Sequence, residues 1–581
     1  MGESKMLRRI IMVLAGVLAL AGSPLRAQDA EGYWAGTLAV TPSASLRIGA
    51  AIARDDAGAL AGTLDSADQH AFDIPLADVT SANGTLAFSV PAVGARYEAR
   101  WNAAHAAWEG TFFQSGQAWP LSMAAGARPE RTTAPPLPAE WMIPPDGSTG
   151  AVLERRIAGR DGAALVVGVI EAGETRVVSR GPVSGPAADG DTLFEIGSMT
   201  KVFTALLLAD MVRSGEVSLD DPVEQYLPAG ALMPRRGEHQ ITLRHLTMQN
   251  SGLPRLPDNM PYAAPTDPYA DYTEAQLLAF LARYELPRDP GAEYEYSNLG
   301  VGLLGYALAR AGGRDYDSLL RARILDPLGL HDTGIALSAD QQPRFAAGHD
   351  EYMRPTPPWH LPALAGAGAL RSTANDMLRF LAAALDPASP IGPSMELLLS
   401  DRLGTAGAPR TALGWMTLPP PTGEVLHHGG GTGGFRTHMA LQPATGRAVV
   451  VLANAAVEPS TQDIAFHLIA GLPLAAESPV PPAPPPIPTR IEVVLDAARL
   501  DSVTGIYSLA PGITLAVRRE GDGLLAQITG QPALPIYPSA RLEFFWRVVD
   551  ARLRFTEEAG QVSGGVLLQN GREIPLTRIE Q

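Results

Sequence analysis

Phe194-Glu195-Ile196-Gly197-Ser198-Met199-Thr200-Lys201 is the stretch on which the reading of this chain turns. The chain carries only two lysines, and Lys5 lies in an N-terminal segment with the features of a removable signal. Once that segment is cleaved, Lys201 is the sole lysine, whereas the other 43 basic residues of the full chain are arginines. Arginine keeps its proton inside a protein, while a desolvated lysine gives its proton up readily. A position at which arginine did not serve is therefore one that needs an amine able to be neutral, which means proton transfer. Ser198 stands three residues earlier, and the apolar run over 202–208 reads as a helix. Residues i and i+3 share a helix face, so the hydroxyl and the amine can meet, at a helix N-terminus whose dipole favours developing negative charge. A serine beside such a base is an activated nucleophile. The bland alternative is a surface lysine on a helix, since Ser-x-x-Lys recurs by accident in long chains.

Length and composition bound what this chemistry sits in. A chain of 581 residues exceeds what one core supports, so two to four domains are expected. Hydrophobic content of 46% and charged content of 18% describe a folded globular chain. The net charge is −16, with no basic run, which argues against nucleic-acid partners and anionic membrane surfaces. There is no cysteine, which excludes disulfides, thiol catalysis and thiolate metal sites.

Residues 1–27 combine Lys5, Arg8 and Arg9 with an apolar run over 10–21 and end on Ala27, the pattern of a secretory signal. The run is short for a membrane span, which takes about 20 residues, so after cleavage no transmembrane segment is expected and the protein is expected to be secreted or periplasmic. An uncleaved anchor is the alternative. Residues 28–125 alternate short apolar strands with turn dipeptides such as Asn83-Gly84 and predict a small all-β domain. Residues 126–148 read as a linker, 149–476 as the central domain, 477–490 as a proline-rich linker, and 491–581 as a second small all-β domain. Within the central region, helices are predicted over 149–158, from Ser198 to near Gly215, and over 273–286, 298–311, 316–325, 373–385 and 463–469. Strands are predicted over 163–170, 175–179, 434–442 and 447–454, with Ser372 as the N-cap of the 373–385 helix. Strands at both ends with helices between suit an α+β arrangement, an antiparallel sheet flanked by helices.

Two more motifs carry chemistry. Tyr296-Ser297-Asn298 follows Pro290-Gly291-Ala292 and opens the 298–311 helix, so the Tyr296 phenol can be aimed into a cleft. A packed tyrosine before an N-cap serine is the plainer account. His427-His428-Gly429-Gly430-Gly431-Thr432-Gly433-Gly434-Phe435 leads into a strand, and its glycines permit close backbone approach to a ligand, where N–H groups could stabilise an oxyanion. A glycine-rich hairpin bearing a histidine is the alternative. Adjacent His427 and His428 would point to opposite faces of a strand, and no His-Glu-x-x-His occurs, so neither a metal site nor a cofactor is expected.

In this order and spacing the three motifs resemble the penicillin-recognising serine hydrolases: class C β-lactamases, D-alanyl-D-alanine carboxypeptidases, D-aminopeptidases and related esterases. The resemblance covers roughly 146–475 and extends to Leu246-Thr247-Met248-Gln249-Asn250-Ser251-Gly252-Leu253-Pro254, to 290–305 and to Gly366-Ala367-Gly368-Ala369-Leu370-Arg371-Ser372-Thr373. It implies a β-lactamase/transpeptidase-like catalytic domain with Ser198 acylated and Lys201 its partner. It further implies that Tyr296 relays protons and that Asn298 holds Lys201 and a substrate amide. His428-Gly429-Gly430 then stands in the place of a Lys-Thr-Gly motif, and the main-chain N–H groups of Ser198 and Gly431 form the oxyanion hole. The expected activity is hydrolysis of a D-amino-acid peptide or simple ester through an acyl-enzyme, with a β-lactam as runner-up and a non-turning-over penicillin-type sensor as the rival of another class. The substrate is a small molecule or peptide. The departure from the β-lactamases is His428, a mostly uncharged side chain at neutral pH where a lysine would meet the substrate carboxylate. Arg255 or Arg436 could replace that charge, or both could be surface arginines.

Overall fold

Leu165-Val166-Val167-Gly168-Val169-Ile170 is apolar at every position, the signature of a strand covered on both faces. In the computed structural model it forms β1 (Leu165–Glu171), followed by β2 (Glu174–Arg180), β3 (Arg410–Thr411), β4 (Met416–Leu418), β5 (Val425–Gly431), β6 (Arg436–Gln442) and β7 (Arg447–Ala453). These build one antiparallel sheet in the order β2-β1-β7-β6-β5-β4-β3. The described residues are 30–579 apart from 41–44, 56–57, 70, 92–93, 115–116, 130–141, 183–186, 262–265, 405–408, 420–422, 460, 484–487, 511–512, 530–532 and 570–571. The expected signal at 1–27 and the proline runs at 134–138 and 484–486 lie outside them.

Alternation along β1 divides the core. Leu165, Val167 and Val169 pack with helices α1 (Asp146–Ile157) and α5 (Gln462–Ala470), while Val166 and Ile170 join the larger core under α2 (Thr200–Arg213), α3 (Asn298–Ala311) and α4 (Ala374–Leu385). The serine stretch enters this larger core: Phe194 and Glu195 form a short strand against Arg371 and Ser372, and Gly197–Met199 make a 3₁₀ turn that runs into α2. Eleven residues of α2 are buried, including Lys201. The expected α+β arrangement is thus observed.

All-β regions stand at both ends. Strands from Gly32 to Ala125 form a nine-stranded sheet whose core holds Trp34, Trp101 and Trp108 edge to face, with centroids 5.3–6.0 Å apart. Strands from Gly505 to Ile579 close into an eight-stranded barrel, which leaves no free edge. The closure joins Gly505–Ala510 to Arg572–Ile579, a pairing between residues far apart in sequence that local turn signals do not encode.

Several expected elements change in detail. Ser372 is not the N-cap of α4. It lies in the strand paired with Phe194, and its hydroxyl meets Thr333 Oγ1 at 2.8 Å. The cap is Thr373, whose Oγ1 accepts the Asp376 N–H at 3.1 Å; both residue types cap well, and pairing of Ser372 with the serine strand shifts the boundary by one. The helix expected over 316–325 continues past Leu320 as a π-helical turn, Arg321–Leu325. The strand expected over 434–442 is preceded by another, β5, which takes in His427 to Gly431 of the glycine-rich motif. Thr373→Ala should lower stability by about 1 kcal/mol in chemical denaturation, whereas Thr373→Ser should retain most of it. Equal losses in the two variants would remove the capping role.

Candidate active site

Lys201 is 1% exposed, and its amine meets three oxygens. Nζ lies 3.0 Å from Ser198 Oγ, 2.9 Å from Asn298 Oδ1 and 2.6 Å from the Ala367 carbonyl oxygen. Burial, reinforced by the charge of Arg255, holds the amine well below the ordinary lysine range. A neutral amine has two N–H donors and one lone pair. The Ala367 carbonyl and the Asn298 side-chain oxygen can only accept, so they take both N–H groups. In the neutral form the lone pair is thus left for Ser198, whose hydroxyl can donate to it, whereas in the protonated form Nζ donates to Ser198 Oγ.

Each of these oxygens is brought in by a different part of the chain. Ser198 comes from the 3₁₀ turn and Lys201 from the first turn of α2. Asn298 opens α3, where Ser297 accepts the Gly300 N–H as N-cap, and its Nδ2 donates to Tyr269 Oη at 2.9 Å. Ala367 sits on a short 3₁₀ turn, Ala365–Ala367, packed on α3. Gly302 and Gly305 make that packing possible, since a Cβ on either would lie within 3.0 Å of Leu364 or Gly366.

Tyr296 completes the cluster. Its ring centroid is 5.0 Å from Lys201 Nζ, 5.1 Å from the Arg255 guanidinium carbon and 6.5 Å from the His428 ring. Burial pushes the Tyr296 phenol up to about 12, opposed by a hydrogen bond with Ser198 and by the Arg255 charge, so it keeps its proton at neutral pH. His428 faces the site from β5. Its Nδ1 must donate to the Gly429 carbonyl, 2.7 Å away, leaving Nε2 as an acceptor. Burial pushes His428 down to about 4, with the Gly429 bond opposing, so the third motif contributes no positive charge near neutral pH. His427 projects to the other face, where it stacks on His438 at 5.3 Å and meets Phe466 at 4.9 Å.

The glycines of β5 set how closely the strand approaches the serine turn. Gly197 has φ +51°, a left-handed conformation suited to glycine, and a Cβ there would lie 2.6 Å from the Gly431 nitrogen. A Cβ on Gly430 would collide with the Ile196 carbonyl oxygen and with Thr437 Oγ1, which itself donates to that carbonyl at 3.0 Å. The structure therefore brings Ser198, Lys201, Tyr296, Asn298, His428, Gly430 and Gly431 together. A small cleft, about 290 Å³ counting its open mouth, is lined by Lys201, Tyr296, His428, Gln249 and Trp415.

Residues not singled out in sequence also shape the site. Ala367 contributes a carbonyl, which no side-chain pattern marks, and Tyr269 anchors Asn298 from a loop without a motif. Glu195 is buried, accepts the Trp359 N–H at 2.8 Å and lies 3.4 Å from Arg371 Nη2, tying the serine strand to the loop beyond it. Among the described residues no group of three His, Asp or Glu side chains is arranged to hold a metal.

The Beta-lactamase family model matches residues 151–472, more than half of the chain. This chain belongs to the beta-lactamase family. It is 26% identical over 412 residues to penicillin-binding protein 4* of Bacillus subtilis, covering 67% of this chain and 88% of that protein. It is 32% identical over 289 residues to the D-alanyl-D-alanine-carboxypeptidase/endopeptidase AmpH of Escherichia coli, covering 47% of this chain and 72% of that one. Among solved structures it is similar to a beta-lactamase/D-alanine carboxypeptidase from Yersinia pestis complexed with citrate, at 26% identity and TM-score 0.48, over 56% of this chain and 95% of that chain. The family is one of serine hydrolases, and the all-β regions at both ends lie outside the match to its model.

Gly430→Ala should slow covalent labelling of the chain by a fluorophosphonate at least tenfold, because the strand must retreat from the serine turn. Labelling at the parental rate would show that this close approach is dispensable.

Proposed function

We propose that the chain is a secreted or periplasmic serine hydrolase that cleaves an amide or ester through an acyl-enzyme on Ser198, with a D-amino-acid peptide or a simple ester as substrate. The observation that carries this reading is the buried Lys201 amine 3.0 Å from the Ser198 hydroxyl oxygen. Ser198 attacks the carbonyl and its proton passes to Lys201. Tyr296, protonated at neutral pH, delivers a proton to the leaving group. The backbone N–H groups of Ser198 and Gly431 receive the oxyanion. Water then attacks the acyl-enzyme by the reverse proton path. With Tyr296 holding its proton and burial holding Lys201 well below the ordinary lysine range, the base in the first step is the amine in its neutral form and the acid is the phenol.

The relative named a D-alanyl-D-alanine-carboxypeptidase/endopeptidase, at 32% identity, supports the peptide reading. A neutral His428 in place of a lysine weighs against efficient β-lactam hydrolysis, although relatives named Beta-lactamase keep that substrate as the second reading. Export rests on the N-terminal pattern; among the described residues no helix is long and apolar enough to cross a membrane. Within this reading the chain is organised as all-β units at 28–125 and 491–581 around a catalytic unit at 149–476. The β units border the cleft and narrow access to it. Gly94 of the N-terminal sheet lies against the Tyr294 carbonyl, and Arg518 of the barrel donates to the Asp258 carbonyl at 3.5 Å.

Four measurements test the reading. A chromogenic ester should give a burst followed by steady turnover, and one equivalent with no steady state would favour a sensor. Ser198→Ala should abolish fluorophosphonate labelling, and Lys201→Arg should reduce the acylation rate at least 100-fold although it keeps a positive charge. Retained activity in Lys201→Arg would contradict proton transfer. The pH dependence has a definite sign. The neutral amine exists above the depressed pKa of Lys201, so the rate should rise with pH and level off well before the ordinary lysine value of about 10.4. No inflection from His428 is expected near 6.5, because its titration is pushed down to about 4.

A further inference from the structure

Arg255 stands apart from the other arginines around the site. Its side chain is half-buried, with its guanidinium carbon 5.1 Å from the Tyr296 ring centroid. Its backbone carbonyl accepts the N–H groups of Asn298 at 3.0 Å and Leu299 at 3.2 Å, which fixes the residue at the start of α3. Yet among the described residues no carboxylate, carbonyl or hydroxyl meets the guanidinium. The acids on the neighbouring segments are already engaged: Asp258 pairs with Arg283, Glu295 with Arg288, and Asp267 Oδ2 lies 2.7 Å from His360 Nδ1. Arg371 lies 3.4 Å from Glu195. The other candidate for the missing charge, Arg436, donates to the Thr432 and Phe435 carbonyls at 2.8 and 2.9 Å and lies 3.4 Å from Glu458.

A half-buried guanidinium forfeits part of its hydration, and among the described residues only the face of the Tyr296 ring, with no anion or hydrogen-bond acceptor, offsets that loss. Five donors in a planar fork suit a carboxylate, which they bind in a bidentate manner. His428, also beside Tyr296, spends its Nδ1 proton on Gly429 and offers no charge to an anion. We infer that Arg255 is the specificity-determining residue of this site and that it selects substrates bearing a carboxylate, held on the Asn298 side of Tyr296 rather than at the His428 motif. The inference rests on the acyl-enzyme reading above for the word substrate, but the anion site itself does not depend on turnover.

The carboxylate can belong to the acyl group or to the leaving group, and paired esters separate the two. p-Nitrophenyl hemiglutarate against p-nitrophenyl acetate tests the acyl side, and 3-carboxyphenyl acetate against phenyl acetate tests the leaving side. In at least one pair the full-length protein should prefer the charged ester, and Arg255→Gln should reduce that ratio of kcat/KM about 10- to 100-fold, the loss expected for a charge-assisted bond. Arg255→Lys should recover part of it. Raising NaCl from 50 to 500 mM should shrink the ratio in the parental protein, a measurement that needs no variant. A charged-to-neutral ratio that Arg255→Gln and salt leave within twofold overturns the proposal, as does the absence of any preference. If neither class of ester turns over, the hydrolase reading fails by itself. Calorimetric titration of glutarate into Ser198→Ala and into Ser198→Ala/Arg255→Gln then decides the anion site. Binding at least tenfold weaker in the double variant supports it, and equal or absent binding in both overturns it.

Discussion

The burial of one amine is the constraint on which this structure depends. Lys201 sits in the first turn of a helix whose surroundings are almost wholly apolar, so its charge has no compensating carboxylate and its neutral form is favoured. In that form two carbonyl-type oxygens can take its two hydrogens, which leaves its lone pair to the serine. Replacing any of the three oxygens, or letting water reach the amine, would change which form of the lysine is stable. The use of arginine at almost every other cationic position follows from the same physics, since arginine could not occupy this one without remaining charged.

Close backbone approach is the second condition, and it is met by omission of side chains. Gly197 and Gly430 let β5 press against the serine turn, and Gly302 and Gly305 let the turn holding Ala367 press against α3. Glycine costs conformational entropy on folding, and here that cost lies where a Cβ would strike backbone atoms. The sheet supplies the rigidity that makes this possible: β5 is held between β4 and β6, and its outer histidine is packed against His438 and Phe466.

Charge is then distributed asymmetrically around Tyr296. On one side His428 is neutral, because burial outweighs its single hydrogen bond. On the Asn298 side the charged Arg255 guanidinium lies over the Tyr296 ring and meets no carboxylate or hydrogen-bond acceptor among the described residues. The electrostatic field at the phenol and the amine therefore comes chiefly from one guanidinium, which lowers the affinity of both for protons without bonding to either.

What the sequence determined by itself is whatever local chemistry dictates. The two-lysine count, the i to i+3 spacing of Ser198 and Lys201, the apolar run of β1 and the Tyr296-Ser297-Asn298 junction are readable because each rests on covalent neighbours or on one element's periodicity. Thr373 and Ser372 could not be ranked as caps, because the choice depends on which of them pairs with Phe194, nearly 180 residues earlier in the chain. Ala367, Tyr269 and the unpaired state of Arg255 were likewise settled only by tertiary structure. A main-chain carbonyl looks the same at every residue, and whether an arginine has a partner is a property of the space around it.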